Sequence, residues 1–487
     1  FRELALQCRR DALQGRVRCG FAAPDPETVK AKLGLVLDAI QEPAKRVILA
    51  SRGIHLLPAG ATKNRGAVAC LFPGQGSQYP FMLRDLAERF PIVAETFSEA
   101  DAVLGALGLT TVTDALFPDP SLAPESRSNM ADPLKDTQIL QPLILTADIA
   151  IFRLLKLMGL RPIAAAGHSL GEYAACVAAG VFTFRDALEA VSVRGREMAR
   201  VSIADPGLMM SIPADARIVE EVLAKVDGYV VAANKNSPKQ TVISGETQAV
   251  KKAGEIFQSM GLEGVLIPVS AAFHSGVVAP AREPFMKTLK NLPVNSPEIP
   301  VLSNVTGEFY PTGPSAGDRI RDLLGKQFAA PVEWVKSLRR LQREGATIFL
   351  ECGPKRVLTN FTLDTLGKDV RAWPTNHPKK GGVLQLLETA AALMAEGVAL
   401  APEAGEEMSA PIDAQAPLSE PTVRAAAPLP VVVSGAPETA QSSDHALARL
   451  IDDEIRAIVD TAEFHSYLEL QGDFLRDIIK SGFKSFS

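Results

Sequence analysis

From Gly66 onward, apolar residues alternate between short solid blocks and stripes at helical spacing. Gly66–Phe72 is an unbroken run of small and apolar side chains and is expected to be a buried strand. Between Gln138 and Leu157, residues Ile139, Leu140, Leu143, Ile144, Ala147, Ile151, Leu154 and Leu155 recur as the face of a buried helix. A second small-residue block, Ala164–Ala166, runs into Gly167-His168-Ser169-Leu170-Gly171, and an alanine-rich helix follows toward Gly180. Strand, helix, strand, helix in this order predicts a parallel sheet with helices on both faces. Phe184–Arg200 is a further helix with Ala187, Leu188, Val191, Gly195 and Met198 on its apolar stripe.

Residues 207–269 change rhythm. Leu208–Ile212, Tyr229–Ala233, Thr241–Ser244 and Val265–Val269 are expected as strands, with helices at Ile218–Val226 and Ala249–Met260. That βαββαβ order is ferredoxin-like and is read as an insert in the larger α/β domain. Asn234, Asn236, Ser237 and Pro238 are expected in the turn between the two middle strands. At the other end of the chain, residues 1–60 form a small α/β unit. Its helix carries Val29, Leu33, Val36, Leu37 and Ile40 and stops at Pro43, and two short strands are expected at Arg46–Ala50 and Ile54–Leu57. Residues 61–397 then form the main domain, 398–442 an Ala/Pro-rich linker, and 443–487 a segment with an amphipathic helix through Leu447, Ile451, Ile455, Ile458 and Val459.

Composition narrows the classes. The 487 residues are 47% hydrophobic and 22% charged, with a net charge of −5, which gives no reason to expect nucleic acid. The most apolar stretch, Ile139–Leu160, is interrupted by Asp148, Arg153 and Lys156 and falls short of the roughly 18 residues of a membrane span. Five scattered cysteines, Cys8, Cys19, Cys70, Cys176 and Cys352, lack metal-ligand spacing and suit buried thiols in a reducing cytoplasm. No metal site is expected. The chain begins without Met or a signal-peptide layout, and is expected to be a piece of a longer polypeptide.

Candidate chemistry centres on Gly167–Gly171. A Gly-x-Ser-x-Gly sequence between strand and helix is the layout of a nucleophile elbow, in which a sharp turn lifts the serine oxygen clear and the helix start aims free N–H groups beside it. A tight turn with a chance serine is the plainer alternative. In Gly74-Gln75-Gly76 the glycines let the backbone approach a ligand, although alone the motif is only a loop. Arg194 falls on the apolar stripe of its helix, and an inward guanidinium needs an anion, either a structural carboxylate or a ligand. Of six histidines, His168 is adjacent to Ser169, where the side chains diverge, and His55, His377, His445 and His465 lie in peripheral regions. His274, just after the insert, remains as the candidate base.

Together, Gly74-Gln75-Gly76-Ser77-Gln78, Gly167-His168-Ser169-Leu170-Gly171-Glu172, Arg194-Gly195 with Met198, and Ala272-Phe273-His274-Ser275 resemble, in order and spacing, the malonyl-CoA:acyl carrier protein transacylases. Gln327 ahead of Pro331-Val332 and the strand end Glu351-Cys352-Gly353-Pro354 fit the same pattern, so the resemblance covers about residues 66–395. The preceding unit resembles the linker between ketosynthase and acyltransferase in multidomain polyketide or polyunsaturated fatty-acid synthases. This resemblance implies an α/β hydrolase-like parallel-sheet subdomain with a ferredoxin-like insert, preceded by a small α/β linker domain. It implies transfer of malonyl from coenzyme A to the phosphopantetheine thiol of an acyl carrier protein, with no bound cofactor and an adjacent ketosynthase of the same synthase as neighbour. Ser169 is then the nucleophile, His274 the base, and Gln327 the group that orients His274 through its backbone carbonyl. The N–H groups of Gln75 and Leu170 form the oxyanion hole, Arg194 pairs with the malonyl carboxylate, and Asn236 lies beside the substrate.

In this family Phe at position 273 accompanies malonyl and Ser accompanies methylmalonyl, so malonyl preference is expected. Ala271 departs from the His-Ala-Phe-His form of the signature. Two other classes use parts of the pattern. A serine esterase or thioesterase shares the elbow but leaves Arg194 and Gln75 unexplained, and a non-catalytic docking scaffold leaves the whole Ser169, His274 and Arg194 set unexplained.

Overall fold

The computed structural model describes residues 18–23, 25–57, 66–117, 134–200 and 205–400. The chain divides into two compact units, one made of residues up to Arg65 with Leu387–Leu400, the other of Gly66–Leu386.

In the smaller unit, β1 (Arg18–Phe21) pairs antiparallel with β2 (Ile54–Leu57), and α1 (Pro26–Gln41) and α2 (Arg46–Ser51) lie between them in the chain. Asp25 caps α1 by accepting from the Thr28 N–H at 2.7 Å, and Phe21, Val36, Ala39, Ile40, Leu49 and Ile54 form its core. The expected strand at Arg46–Ala50 is helix α2. Val47 is 84% exposed and only Leu49 is buried, so the segment offers one inward residue rather than the paired face a strand needs. Strand β1 was not anticipated, and it supplies the partner that β2 required.

In the larger unit, β3 (Val68–Phe72), α3 (Thr137–Leu157), β4 (Ala164–Gly167), α4 (Gly171–Ala178) and α5 (Phe184–Arg200) follow the expected order. Strands β9 (Ile348–Glu351) and β10 (Arg371–Pro374) complete a four-stranded sheet of order β10-β9-β3-β4, all parallel. Every residue of β3, β4 and β9 is buried, as a parallel sheet covered on both faces requires. Leu71, Ala166, Trp334, Leu338 and Phe349 pack as one core cluster. Helix α3 is long and apolar enough to cross a membrane by length and composition, but 83% of its apolar window is buried, as in a core helix.

The insert forms a second sheet, antiparallel, from β5 (Leu208–Ile212), β6 (Val230–Ser237), β7 (Gln240–Gly245) and β8 (Val265–Leu266) in the order β6-β7-β5-β8. With α6 (Ala216–Leu223) and α7 (Thr247–Ser259) in the crossovers, this is the ferredoxin-like arrangement. Two expectations need correction. β6 continues through Ser237 with two irregularities in register, so Asn234 and Asn236 sit on a strand and not in the turn. β8 is two residues long: the Ile267 N–H still donates to the Met209 carbonyl at 2.9 Å, and the chain then turns, with the Val269 N–H on the Ile267 carbonyl, on the way to His274. Helices α8 (Trp334–Arg343) and α9 (Val357–Leu366) flank β9, and the Glu351 carboxylate accepts from the N–H groups of Leu358 and Thr359 at 3.0 and 2.8 Å, capping α9. The expected linker at 398–442 lies almost wholly, and the segment at 443–487 entirely, outside the described residues.

Candidate active site

Ser169 occupies the turn between β4 and α4 with φ +53°, the left-handed region that a non-glycine residue seldom enters. The turn is tight enough that a Cβ on Gly171 would stand 2.0 Å from the Phe72 carbonyl oxygen. His274 also has a positive φ, +55°, and its Nε2 lies 2.7 Å from Ser169 Oγ. On the far side of the ring, Nδ1 lies 3.1 Å from the Gln327 carbonyl oxygen. A carbonyl can only accept, so Nδ1 carries the proton and Nε2 is left to accept from the serine hydroxyl. Burial, the nearby Arg194 charge and His168 push the His274 pKa down to about 3, which keeps the imidazole neutral.

The Gly74-Gln75-Gly76 loop lies directly against this turn. A Cβ on Gly74 would stand 2.5 Å from the His168 carbonyl oxygen and 3.5 Å from the Leu170 nitrogen. The backbone hydrogen bonds of turns and loops use neither the Gln75 N–H nor the Leu170 N–H. The Gln75 side chain points elsewhere, donating to Thr137 Oγ1 at 2.9 Å.

Arg194 is wholly buried on α5. Its Nη1 donates to Gln141 Oε1 at 2.8 Å and its Nη2 to Gln327 Oε1 at 3.3 Å, while Nε has no hydrogen-bond partner among the described residues. The Tyr173 and Phe328 rings lie 5.7 and 5.4 Å from its Cζ. Both hydrogen-bond partners are neutral amides, so the structural ion pair left open by the sequence is not formed among the described residues. Phe273 is buried directly before His274. Asn236 Oδ1 accepts from His168 Nε2 at 2.8 Å and its Nδ2 donates to Gln240 Oε1 at 2.8 Å, so it reaches the elbow through His168. Among the described residues, no group of three or more His, Cys, Asp or Glu is gathered in a way that could hold a metal.

Three side chains at the site were given no role by the sequence: Asn304 and Gln141, which gave no signal, and Glu172, which appeared only as the last residue of the elbow motif. Glu172, fully buried, accepts from the Tyr310 hydroxyl, from Gln327 Nε2 and from the Asn304 N–H. Asn304 contacts the elbow backbone, and Gln141 holds Arg194. Each acts across a wide sequence gap (135 residues between Ser169 and Asn304), where no local spacing exists to read.

The matching family model is the acyl transferase domain, over residues 70–399. This chain belongs to that family. It is 38% identical over 306 residues to the malonyl CoA-acyl carrier protein transacylase of Escherichia coli strain K12, covering 61% of this chain and 93% of the relative. The acyltransferase domain from the second module of the salinomycin polyketide synthase superposes with a TM-score of 0.66 at 30% identity, covering 81% of this chain and 86% of that one. A malonyl-transacylase solved in complex with a type II polyketide-synthase acyl carrier protein superposes with a TM-score of 0.59 at 32% identity, over 66% of this chain and 99% of the other.

Three titrating groups within this acyltransferase carry pH predictions. Burial raises the Glu172 pKa to about 7, while its three donors favour the carboxylate. Protonation would push one donor away, and Gln327, which also holds the Ser169 carbonyl at 3.0 Å, is among them. Activity is therefore expected to rise with pH through about 7, and Glu172→Gln to flatten that rise. An unchanged inflection in kcat/KM for Glu172→Gln would assign it to another group. Stability follows the opposite sign for different groups. His274 and His168, lowered to about 3 and 4, contribute stability that is complete above pH 6.5 and fades as pH falls toward those values. Glu172, raised from 4.5 to about 7, contributes less as pH rises across that interval.

Proposed function

We propose that this chain moves a malonyl group from coenzyme A to the phosphopantetheine thiol of an acyl carrier protein through a malonyl-Ser169 intermediate, in fatty-acid or polyketide biosynthesis. His274 Nε2 takes the hydroxyl proton as Ser169 Oγ attacks the thioester carbonyl. The resulting oxyanion is held by the N–H groups of Gln75 and Leu170. The C–S bond then breaks, and His274 returns the proton to the departing coenzyme A thiolate. In the second half the carrier thiol gives its proton to His274, attacks the acyl-serine carbonyl, and Ser169 leaves with that proton. Coenzyme A and phosphopantetheine are substrates here, and the chemistry asks for no resident cofactor.

The observation that carries this reading is Arg194: a buried guanidinium near the Ser169–His274 pair whose hydrogen bonds go to neutral amides and whose Nε has no partner among the described residues. A substrate carboxylate supplies the missing anion bidentately. A hydrolase reading has less support, because His274 Nδ1 faces a carbonyl where a hydrolase places an acid. Incubation with malonyl-CoA and a holo acyl carrier protein should yield malonyl-carrier faster than free malonate. Release of malonate alone would favour the thioesterase reading.

Phe273, buried directly before the base, supports malonyl over methylmalonyl on the reading that its ring borders the acyl group and would crowd an α-methyl. Phe273→Ser is expected to raise methylmalonyl transfer relative to malonyl by about 10-fold, within the ~1–3 kcal/mol that one methyl is worth in a pocket. Parallel rates for the two thioesters, compared between wild type and variant, check it.

Residues 1–60 are read as a ketosynthase–acyltransferase linker domain and 61–397 as the acyltransferase, with an adjacent ketosynthase as partner. Support comes from the salinomycin synthase domain, whose match spans 81% of this chain against 66% for the carrier-bound transacylase. The cytoplasm, where acyl-CoA is made, is the proposed location, consistent with the free thiols of Cys70, Cys176 and Cys352.

A further inference from the structure

The backbone of Ser169 is held at both ends by side-chain amides. Its N–H donates to Asn304 Oδ1 at 2.6 Å, and its carbonyl accepts from Gln327 Nε2 at 3.0 Å. Asn304 Nδ2 also donates to the Gly167 carbonyl at 2.6 Å, so one carboxamide spans the two residues on either side of His168. Asn304 is itself fixed: it is 1% exposed, its N–H donates to Glu172 Oε1 at 3.2 Å, and its carbonyl accepts from the Glu333 N–H at 2.9 Å. A non-glycine residue at φ +53° persists only where its surroundings over-determine it.

We propose that Asn304 is a positioning residue for acyl transfer, its carboxamide locking Ser169 in the left-handed conformation that brings Oγ onto His274 Nε2. With the carboxamide gone, the Ser169 N–H and Gly167 carbonyl lose their partner and the turn is free to relax away from that geometry. The serine then loses reactivity toward any electrophile, whether or not the electrophile carries a carboxylate. A defect of this kind falls on kcat, because among the described residues the hydrogen bonds of Asn304 go to the backbone of Gly167, Ser169 and Glu333 and to Glu172, and none to Arg194. The inference rests on the acyl-transfer reading only for its choice of substrate.

The test uses the full chain with two reagents: malonyl-CoA, and a small neutral alkyl phosphonofluoridate that labels reactive serines irrespective of acyl specificity. Asn304→Ala is expected to slow both single-turnover malonylation and phosphonate labelling of Ser169 at least 10-fold, with KM for malonyl-CoA within about 2-fold. Asn304→Asp adds a signature that loss of packing does not produce. Its neutral carboxyl can accept from the Ser169 N–H and donate to the Gly167 carbonyl, whereas its ionised form cannot donate. The titratable groups joined to it are the Glu172 carboxylate, which accepts from the Asn304 N–H, Tyr310, which donates to Glu172, and Glu333, whose N–H donates to the Asn304 carbonyl and whose carboxylate pairs with Lys235 and Lys336; each is present in wild type, so rates are expressed relative to wild type at each pH. The labelling rate of Asn304→Asp, so expressed, should rise as pH falls from 8 to 5.5, while Asn304→Ala stays flat. Phosphonate labelling of Asn304→Ala at the wild-type rate, an effect confined to KM, or a flat profile for Asn304→Asp overturns the proposal. If Asn304→Ala does not fold, the Asn304→Asp profile decides. Wild type labelled by the phosphonate but not by malonyl-CoA would sink the malonyl reading and leave the role of Asn304 standing.

Discussion

Ser169→Ala is expected to lower malonyl transfer by about 10⁴-fold or more while leaving the fold intact. Removing a serine nucleophile from a preformed site typically costs on this scale, and what survives reflects the oxyanion hole and substrate binding. The loss should sit in kcat, since Oγ contributes little to holding coenzyme A. The side chain also makes no packing contribution that alanine lacks beyond its bond to His274. The variant should therefore melt within a few degrees of wild type. Single-turnover transfer to a holo carrier, followed by quenched-flow, reads the rate, and residual turnover above 1% of wild type would mean that another group carries the acyl chain.

Arg194→Ala has the second-largest expected effect, and its direction depends on the substrate. Truncating one side of a buried, hydrogen-bonded charge pair costs about 2–5 kcal/mol, so malonyl transfer should fall by about 10²–10³-fold. A neutral acyl group needs no counter-charge. Acetyl-CoA should therefore react with Arg194→Ala at least as fast as with wild type, because a buried unpaired cation no longer borders the pocket. The specificity ratio, malonyl over acetyl, is the informative quantity, since a general loss of folding would depress both. Equal losses on the two thioesters would remove Arg194 from substrate recognition and leave it as a structural partner of Gln141 and Gln327.

The parts of this site that the sequence displayed share a physical property: their signal is local. The elbow announces itself because strand β4, the turn and helix α4 occupy contiguous residues, and glycine is required where Cβ would strike the neighbouring strand. Arg194 stands out because a charge on the buried stripe of α5 violates helical periodicity. The parallel sheet and the ferredoxin-like insert were legible for the same reason, from runs and alternations within each segment. What escaped was set by tertiary pairing. Arg46–Ala50 has β-branched residues but no sheet neighbour, so it coils into α2, while Arg18–Phe21 becomes a strand because β2 lies opposite. Asn236 was expected in a turn and instead sits on a strand, joining His168 to Gln240, because β6 runs on past the predicted turn. Asn304, Glu172 and the side chain of Gln327 form a continuous frame around Ser169 that only folding assembles. Gln327 illustrates both cases, its backbone carbonyl foreseen and its carboxamide not.

The central claim is that the malonyl group rests on Ser169 between two thiols. Intact-protein mass spectrometry after brief mixing with malonyl-CoA, with peptide mapping of the product, tests it most directly. The expected result is a single malonyl-sized increment on the Ser169 peptide that disappears on addition of a holo acyl carrier protein and reappears on the carrier. An adduct on another residue, or one that leaves only as free malonate when the carrier is added, would contradict it.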